Sequence, residues 1–466
     1  MFTMRKKSID FTSGRLMPLI VAYAIPIILS GLVQAMFNAA DMAVLGAFDE
    51  SSDSSAVGAV GATGSIAALL VNSFIGFSGG TNVLLARAVG AKDDERSQKI
   101  VGSSLLLAVF AGAFVLIVGF LSAPWFLTVT DCPSNSFDGA LTYLRIYLSA
   151  APVILIYNFA SAIIRVSGDS RSPFTYILIA GGTNVILNYL LCFILPNKVA
   201  AVAIATLASN VIGAVLTVVH LFKLKEGPCR VDIRNLHFSA RETVNILLLG
   251  LPNAFTSALY SISNLQIQSA INSFGSSASA GNNASVQLEN FVSTVYSSFA
   301  STCMVSVGQN LGARKRERVK GTIIRCVITT FSITVFLGIS MLVFGRPLLG
   351  LFVPNDEVAL SIGTVRLTVC MALFWALAVD STLSFAIRAF GNTFLPMLNS
   401  VFSIILFRTV WMNLIYPHMT FVGDPVKDIF NVYECYIFSW LLSLALQILF
   451  FALTYRKYSR GKLREI

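Results

Sequence analysis

The sequence predicts an all-α integral membrane protein, with twelve transmembrane helices in two parallel-repeat six-helix bundles around a central cleft. Three observations predict this fold class: a strongly apolar composition, twelve long apolar segments and an internal repeat. Of the 466 residues, 55% are hydrophobic and only 12% are charged, whereas a soluble domain carries about 25% charged residues. Because so few charges cannot cover a water-exposed surface, we expect lipid to surround the chain.

Apolar segments of membrane-spanning length recur twelve times. A spanning helix needs about 20 mostly apolar residues, and continuous runs favour helices over the alternating pattern of a β-barrel. The predicted spans are 16–46, 56–86, 98–122, 139–164, 173–195, 199–224, 243–274, 284–310, 320–345, 357–386, 394–416 and 432–455. Several are longer than a bilayer requires, so we expect them to tilt, bend or extend past the lipid.

The basic residues fix the predicted orientation of these spans. With the N-terminus inside, 27 of the 33 lysines and arginines lie in cytoplasmic segments, and only Lys198, Arg346 and Lys427 lie outside. Basic residues are enriched on the cytoplasmic side of membrane proteins. The chain is therefore predicted to be a multi-pass protein of the cell (inner or plasma) membrane, with both termini cytoplasmic. The same placement accounts for the net charge of +10 without nucleic acid.

The two halves of the chain repeat one pattern at an offset of 221 to 226 residues. Four matches carry this repeat: Pro26 and Asn38 with Pro252 and Asn264, Gly90-Ala91 with Gly312-Ala313, Arg145 with Arg366, and Arg165, Gly168 and Pro173 with Arg388, Gly391 and Pro396. Six spans per half is an even number, so both halves have the same orientation. We predict an N-terminal lobe at 1–225, a cytoplasmic linker at 226–242 and a C-terminal lobe at 243–466.

Signatures of enzymes and metal sites are weak. Ser78 in GFSGG fits the G-x-S-x-G pattern, but it lies in a predicted span rather than in a strand-to-helix turn, and no histidine is expected at its depth. The sequence has no Walker motif, and its seven cysteines include no CxxC pair. The chain is therefore predicted not to be an enzyme and to need no cofactor.

Several motifs resemble those of the multidrug and toxin extrusion (MATE) family, within the multidrug/oligosaccharidyl-lipid/polysaccharide flippase superfamily. VGQNLGARKRERVK (Val307 to Lys320) is similar to the family signature after the eighth helix, and LARAVGAKDDER (Leu85 to Arg96) to its first-half counterpart. NAADMAVLG (Asn38 to Gly46) resembles the end of the first helix, and IRVSGDSRSP, TNVILNYLL and IRAFGNTFLP follow in the expected order. The resemblance implies export of organic, mostly cationic, compounds coupled to inward H⁺ or Na⁺.

The resemblance also implies a site for the coupling cation at Asp41, Asn184, Asn188 and Thr206. Asn184 and Asn188 are four residues apart and share one helix face, and Asn and Thr oxygens can ligate a hard cation or bind a carboxylate. Many members of the family carry aspartate where this chain has Asn188. The missing carboxylate favours proton exchange at a lone acid over tight Na⁺ binding, and packing through interhelical amide bonds is the alternative.

Asp41 is the leading candidate for proton coupling, because a charged group inside a bilayer is costly. A straight helix from Leu16 would place Asp41 ~37 Å along its axis, beyond a ~30 Å hydrocarbon core and in water. A bend at Pro26 would instead keep it within the membrane. A hydrated aspartate stays ionised at neutral pH, whereas burial favours its protonated form, so coupling requires the second arrangement.

Other polar side chains within the spans are candidates for the substrate cleft. They are Gln34, Asn38, Tyr157, Tyr260, Asn264, Glu289, Asp380 and Arg408. For Glu289 and Asp380 the alternatives are attraction of a cationic substrate, a second coupling site, and a structural ion pair with Arg408. Arg145 and Arg366 are interpreted as extending to the outer headgroups.

The predicted function is secondary active efflux of drugs and toxins by H⁺ or Na⁺ antiport with alternating access. A flippase for lipid-linked oligosaccharide or lipid is the alternative within the superfamily, although only three arginines lie inside spans to bind a pyrophosphate. An ion channel suits a two-fold repeat with unmatched acids less well. Expected partners are small organic substrates and membrane lipid; no nucleic acid and no obligate protein partner is expected, and the chain is predicted to be a monomer.

Overall fold

The computed structural model describes residues 9–48, 55–129, 137–224, 227, 229–231, 238–354 and 356–461. All regular elements within these ranges are helical. They are α1 (Leu16–Phe48), α2 (Ser55–Ala91), α3 (Asp94–Val129), α4 (Phe137–Ser149), α5 (Ala151–Val166), α6 (Arg171–Ile194), α7 (Lys198–Lys223), α8 (Ala240–Asn272), α9 (Ser276–Gly312), α10 (Arg316–Gly350), α11 (Glu357–Ala389), α12 (Phe394–His418) and α13 (Pro425–Ser459).

These helices confirm the predicted twelve-span architecture. Ten are both long and apolar enough to cross a membrane, and α4 and α5 form an eleventh span with a bend of 43°. The remaining predicted span corresponds to α9, whose 37 residues are ample in length but rich in serine and asparagine, and which is not among these eleven. Large apolar side chains such as Phe110, Phe114 and Phe193 are exposed, as expected of a chain whose outer solvent is lipid.

The bend between α4 and α5 follows from Pro152. Proline has no amide hydrogen and its ring crowds the preceding turn, so the helix breaks just before it, at Ala150. On α3, Gly112 faces this break. A Cβ at Gly112 would lie 2.4 Å from Cα of Pro152, so glycine is what allows the two spans to approach so closely.

Helix α12 is irregular, which the sequence did not predict. It is α-helical over Phe394–Ser400, widens to a π-helix over Val401–Leu406, returns to α over Phe407–Val410 and widens again over Trp411–Ile415. The hydroxyl of Ser263 on α8 donates a hydrogen bond of 3.2 Å to the Ile404 carbonyl inside the first wide segment. A side chain inserted into the backbone ladder is a usual cause of such widening.

The chain forms two compact units, each with its own core. The first joins the segment ending at Ser13 to Ala22–Ala254, and the second joins Gly14–Val21 to Phe255–Ile466. The predicted lobe bounds stay predictions, and linker residues 226, 228 and 232–237 lie outside the described ranges.

Close packing of α9 on α11 organises the second unit. A Cβ at Gly281 would lie 2.0 Å from the Ala359 carbonyl oxygen, and one at Gly363 would lie 2.8 Å from the Gly281 carbonyl oxygen. The two backbones are therefore almost in contact at this crossing. Glu289 on α9 and Arg366 on α11 lie within a few turns of this crossing. Their long side chains are therefore within reach of each other.

Candidate functional site

In the first unit, the four residues of the predicted cation site lie together. Asp41 is on α1, Asn184 and Asn188 are on α6, and Thr206 is on α7. Asn184 is 5% exposed and Asn188 is fully buried, whereas Asp41 and Thr206 are half-buried. Asp41 therefore lies at the accessible edge of a polar cluster inside the helix bundle.

A chain of hydrogen bonds connects these residues. Nδ2 of Asn188 donates to Oδ1 of Asp41 at 2.5 Å and to Oδ1 of Asn184 at 3.2 Å. Nδ2 of Asn184 in turn donates to Oγ1 of Thr206 at 3.4 Å. Oδ1 of Asn188 is buried and accepts no hydrogen bond from the described residues. The cluster thus provides a hydrogen-bond donor to an ionised Asp41, and Oδ1 of Asn188 is left as an unused acceptor.

In the second unit, Glu289 forms a buried ion pair with Arg366. Nε and Nη2 of Arg366 bind the two carboxylate oxygens of Glu289 at 2.7 and 2.9 Å, and Nη1 binds Oδ1 of Asn282 at 2.6 Å. Arg366 is only 5% exposed, so our interpretation that it extends to the headgroups is wrong. A buried guanidinium needs a counter-ion, and Glu289 supplies it. The predicted ion pair of Glu289 with Arg408 is therefore replaced by a pair with Arg366.

Asp380 on α11 lies in a separate polar network. Its Oδ1 accepts hydrogen bonds from Oγ of Ser443 at 2.9 Å and Nδ2 of Asn399 at 3.2 Å. Nδ2 of Asn399 also donates to Oε1 of Gln447 at 2.8 Å. Asp380 is 7% exposed, and among the described residues it has no basic partner within ion-pair distance. It is the second acid of the helix bundle held only by neutral donors.

Arg408 is almost completely buried, with 1% of its surface exposed. Nη1 donates to Oδ1 of Asn264 at 3.2 Å and Oγ of Ser263 at 3.4 Å, and Nε donates to Oγ of Ser439 at 3.2 Å. Its guanidinium carbon lies 4.7 Å from the ring centre of Tyr436. In the described part of the chain, Arg408 contacts no carboxylate.

The remaining predicted cleft residues are placed as follows. Gln34 and Asn38 are exposed on α1, and Asn264 is exposed on α8. Tyr157 on α5 packs beside Gly213 of α7, where a Cβ would lie 3.7 Å from its ring. Tyr260 packs against the core of the second unit. Of these five, Asn264 hydrogen-bonds another predicted site residue, Arg408.

Sequence reasoning missed the partners of the buried charges in the second unit. They are Asn282, Ser263, Asn399, Ser439 and Ser443, together with Arg366 in its role as counter-ion. The available signal was the physical rule that a charge inside a helix bundle requires a partner. The rule does not say which residue provides it, because the partners lie up to 145 positions away along the chain.

An all-helical chain of this span count, with isolated polar clusters inside each unit, is built as a membrane transport protein rather than an enzyme. A family model described as MatE matches residues 26–190 and 252–412, one segment in each half. The chain belongs to the MatE family, whose members are transporters. The resemblance found in the sequence is thereby confirmed.

Relatives and solved structures agree with this assignment. The chain is 26% identical to the probable multidrug resistance protein YoeA of Bacillus subtilis, over 82% of this chain and 83% of YoeA. It is also 26% identical to the probable multidrug resistance protein NorM of Thermotoga maritima, over 84% of this chain and 82% of NorM. The fold matches an outward-facing multidrug resistance MATE transporter with a TM-score of 0.86, covering 98% of each chain at 19% identity.

Proposed function

We propose that this protein exports organic, mostly cationic, compounds in exchange for protons, and that Asp41 carries the coupling proton. The hydrogen-bonded cluster around Asp41 is the observation that carries the proposal. It contains one carboxylate, and the side chains bonded to it directly or through the chain, Asn188, Asn184 and Thr206, are neutral. A lone acid surrounded by neutral, reversible hydrogen-bonding groups favours H⁺ over Na⁺ as the coupling ion.

The cluster can reverse its hydrogen bonds when Asp41 gains a proton. An ionised Asp41 accepts from Asn188, and the chain ends with Thr206 as acceptor. A protonated Asp41 must donate, and the unused Oδ1 of Asn188 becomes its acceptor after the amide turns over. Asn184 then turns as well and accepts from the Thr206 hydroxyl, which can donate or accept. Asp41, Asn188, Asn184 and Thr206 thus each keep at least one hydrogen bond in both protonation states.

This reversal couples the proton to conformation. In the proposed cycle, alternating access exposes the cluster first to one side of the membrane and then to the other. Outside, protonation of Asp41 disfavours the bound cationic compound and releases it. Inside, the proton leaves, the carboxylate is restored and a new compound binds. The two protonation states thus stabilise different states of the transporter, as coupling requires.

The energetics allow one proton per exported monovalent cation. Moving one charge outward against 100 mV costs ~2.3 kcal/mol, and one entering proton returns the same amount. Each unit of pH gradient adds ~1.4 kcal/mol, enough for about a tenfold gradient of the compound. Stronger accumulation requires a second proton, and Asp380 is the proposed acceptor because its partners, too, are neutral.

We further propose that the protein acts as a monomer in the cell membrane, with both termini in the cytoplasm. The distribution of basic residues supports this orientation.

Transport in proteoliposomes tests the proposal. Purified protein is reconstituted, a fluorescent organic cation is supplied, and a pH gradient or a sodium gradient is imposed separately. We expect dye movement under the pH gradient alone, at the same rate with and without sodium. Transport that follows only the sodium gradient would replace H⁺ by Na⁺, and no transport under either gradient would remove efflux as the function.

A further inference from the structure

Arg408 carries a buried positive charge in the second unit, and among the described residues no carboxylate contacts it. The guanidinium groups of Arg366 and Arg408 lie 5.1 and 4.7 Å from the ring centre of the same residue, Tyr436. Glu289 binds Arg366 through both carboxylate oxygens. Two cations and one anion therefore share this part of the bundle, and the excess charge belongs to Arg408.

An uncompensated cation at membrane depth is costly, and the partners of Arg408 offset only part of that cost. All of its hydrogen-bond acceptors are neutral: two serine hydroxyls and the amide oxygen of Asn264. Asn264 itself is exposed on α8. Asn264 thus connects the buried guanidinium to the exposed surface of α8.

The Arg408 arrangement joins the same two spans of its repeat as the Asp41 cluster does, but through different positions and with opposite charge. An offset of 226 relates Asp41 to Ile267 and Asn38 to Asn264, and an offset of 223 relates Val185 to Arg408. In the first unit, an acid on the first span binds an amide on the fifth span. In the second unit, an amide on the first span binds a cation on the fifth span.

An unused hydrogen-bond donor lies about one turn beyond Arg408 on the same helix. Trp411, the repeat counterpart of Asn188, is 8% exposed, and its Nε1 has no hydrogen-bond partner among the described residues. An indole N–H can only donate. Asn188 in the first half can donate or accept a hydrogen bond, whereas Trp411 at the equivalent position can only donate. A group that only accepts, such as an anion, would match this donor.

We propose that Arg408 is the centre of an anion subsite that binds the carboxylate of a transported compound. The subsite rests on the proposed export function and extends its substrates from simple cations to zwitterionic amphiphiles. The two π-helical segments on either side of Phe407–Val410 present Arg408 from an irregular helix, and such segments are frequent at functional sites. A carboxylate would provide the charge that Arg408 lacks and accept hydrogen bonds from its guanidinium.

Equilibrium binding of two matched dyes tests this subsite. The free acid of a rhodamine and its methyl ester differ only in the carboxylate, so their affinities are compared on purified full-length protein in nanodiscs of zwitterionic lipid. We expect Arg408→Gln to weaken binding of the free acid about tenfold and to leave the ester unchanged. Arg408→Lys, which keeps the charge, should retain the free acid within about threefold.

Two controls make the outcome decisive. Arg346→Gln removes an exposed cation from the same unit and should alter neither affinity. Thermal unfolding of each variant establishes that it is folded, and Arg408→Lys provides the comparison if Arg408→Gln does not fold. An equal effect of Arg408→Gln on both dyes, or no effect on either, would overturn the subsite, as would a loss of free-acid binding in Arg408→Lys as large as in Arg408→Gln.

The same measurement separates a substrate carboxylate from free chloride. If chloride binds to Arg408, the affinity of the wild type for the ester will change when gluconate replaces chloride. The ratio of the free-acid affinity to the ester affinity will then be the same in the wild type and in Arg408→Gln. That result would assign the site to an inorganic anion and overturn the carboxylate. If wild-type proteoliposomes bind both dyes as expected but export neither, the export function fails while the subsite stands.

Discussion

The amide nitrogen of Asn188 lies 2.5 Å from Oδ1 of Asp41, although 147 positions separate the two residues. This bond joins the first and fifth spans of the first unit and is the start of the polar chain that ends at Thr206. Because Asn188 offers both a donor and an acceptor, the pair can accommodate either protonation state of the acid. The first three predictions concern this cluster.

Replacing Asp41 by asparagine should abolish proton-coupled export. The asparagine amide keeps the size and hydrogen-bonding capacity of the acid but cannot exchange a proton. We expect dye efflux in proteoliposomes to fall to the level of empty vesicles, with normal expression and an unchanged melting temperature. Wild-type rates in this variant would remove Asp41 from the mechanism.

Replacing Thr206 by valine should slow transport roughly fivefold, because the cluster loses the hydroxyl that accepts from Asn184 in one protonation state and donates to it in the other, each hydrogen bond being worth ~1 kcal/mol. Valine matches threonine in shape but cannot donate to Asn184. Threonine to serine at this position is the matched control, since serine keeps the hydroxyl. The measurement is the transport rate under a pH gradient, and similar rates for the valine and serine variants would contradict the proposed reversal.

Substituting aspartate for Asn188 should make transport respond to sodium. The change places a second carboxylate beside Asp41, and hard cations bind best to several oxygen ligands that include carboxylates. We expect a sodium gradient to drive dye movement in Asn188→Asp but not in the wild type. Asn184→Asp is a useful comparison, because Asn184 has no direct bond to Asp41. An Asn188→Asp variant that ignores sodium would argue against a cation at this position.

Substituting one partner of the Glu289–Arg366 pair should destabilise the protein more than substituting both partners. Glu289→Leu or Arg366→Met alone leaves a buried charge without its partner, at a cost of about 3–5 kcal/mol. The double variant leaves neither charge and should recover most of this loss. Unfolding in mixed detergent measures all three variants against the wild type. Additive effects of the two single substitutions would show that the residues do not interact.

The carboxylate of Asp356 should make the stability of the second unit depend on pH. Its Oδ1 accepts a hydrogen bond of 2.9 Å from the Ala359 amide at the start of α11, and this bond, with one from Ser277, lowers the pKa of Asp356. A lowered pKa means that the stabilisation is present above the unfolded pKa, about 3.9, and is lost as pH falls through the folded value.

Asp356→Asn provides the matching control for this pH dependence. Asparagine still caps the helix but carries no charge, so its stability should change less over the acidic range than that of the wild type. Melting temperatures measured from neutral to acidic pH compare the two proteins. Parallel curves would show that Asp356 does not contribute through its charge.

Sequence reasoning anticipated the spans closely, because membrane-spanning helices have a length and composition that the bilayer itself dictates. It also predicted that Asn184 and Asn188 share a helix face, since four-residue spacing requires this in any α-helix. The proximity of Asp41 to that face came from the family resemblance, because hydropathy does not specify which spans are neighbours.

The pairing of Glu289 with Arg366 could not be deduced in the same way. The two residues lie 77 positions apart. The sequence analysis named Arg408 as the alternative partner and placed Arg366 at the headgroups. Their contact depends on the close approach of α9 and α11 at Gly281 and Gly363. The widened turns of α12 were also beyond prediction: the first of them accepts a hydrogen bond from Ser263 on another helix, and such a contact is not visible in the sequence.

The polarity of α9 has a consequence for how the chain is made. Several of its polar side chains, among them Asn282, Ser285 and Glu289, are buried. The helix packs on α10 and α11, both of which are synthesised later. A segment this polar does not enter lipid readily by itself, so during translation it must wait at the translocon until its neighbours emerge. We therefore expect α9 to enter the membrane together with α10 and α11 rather than alone.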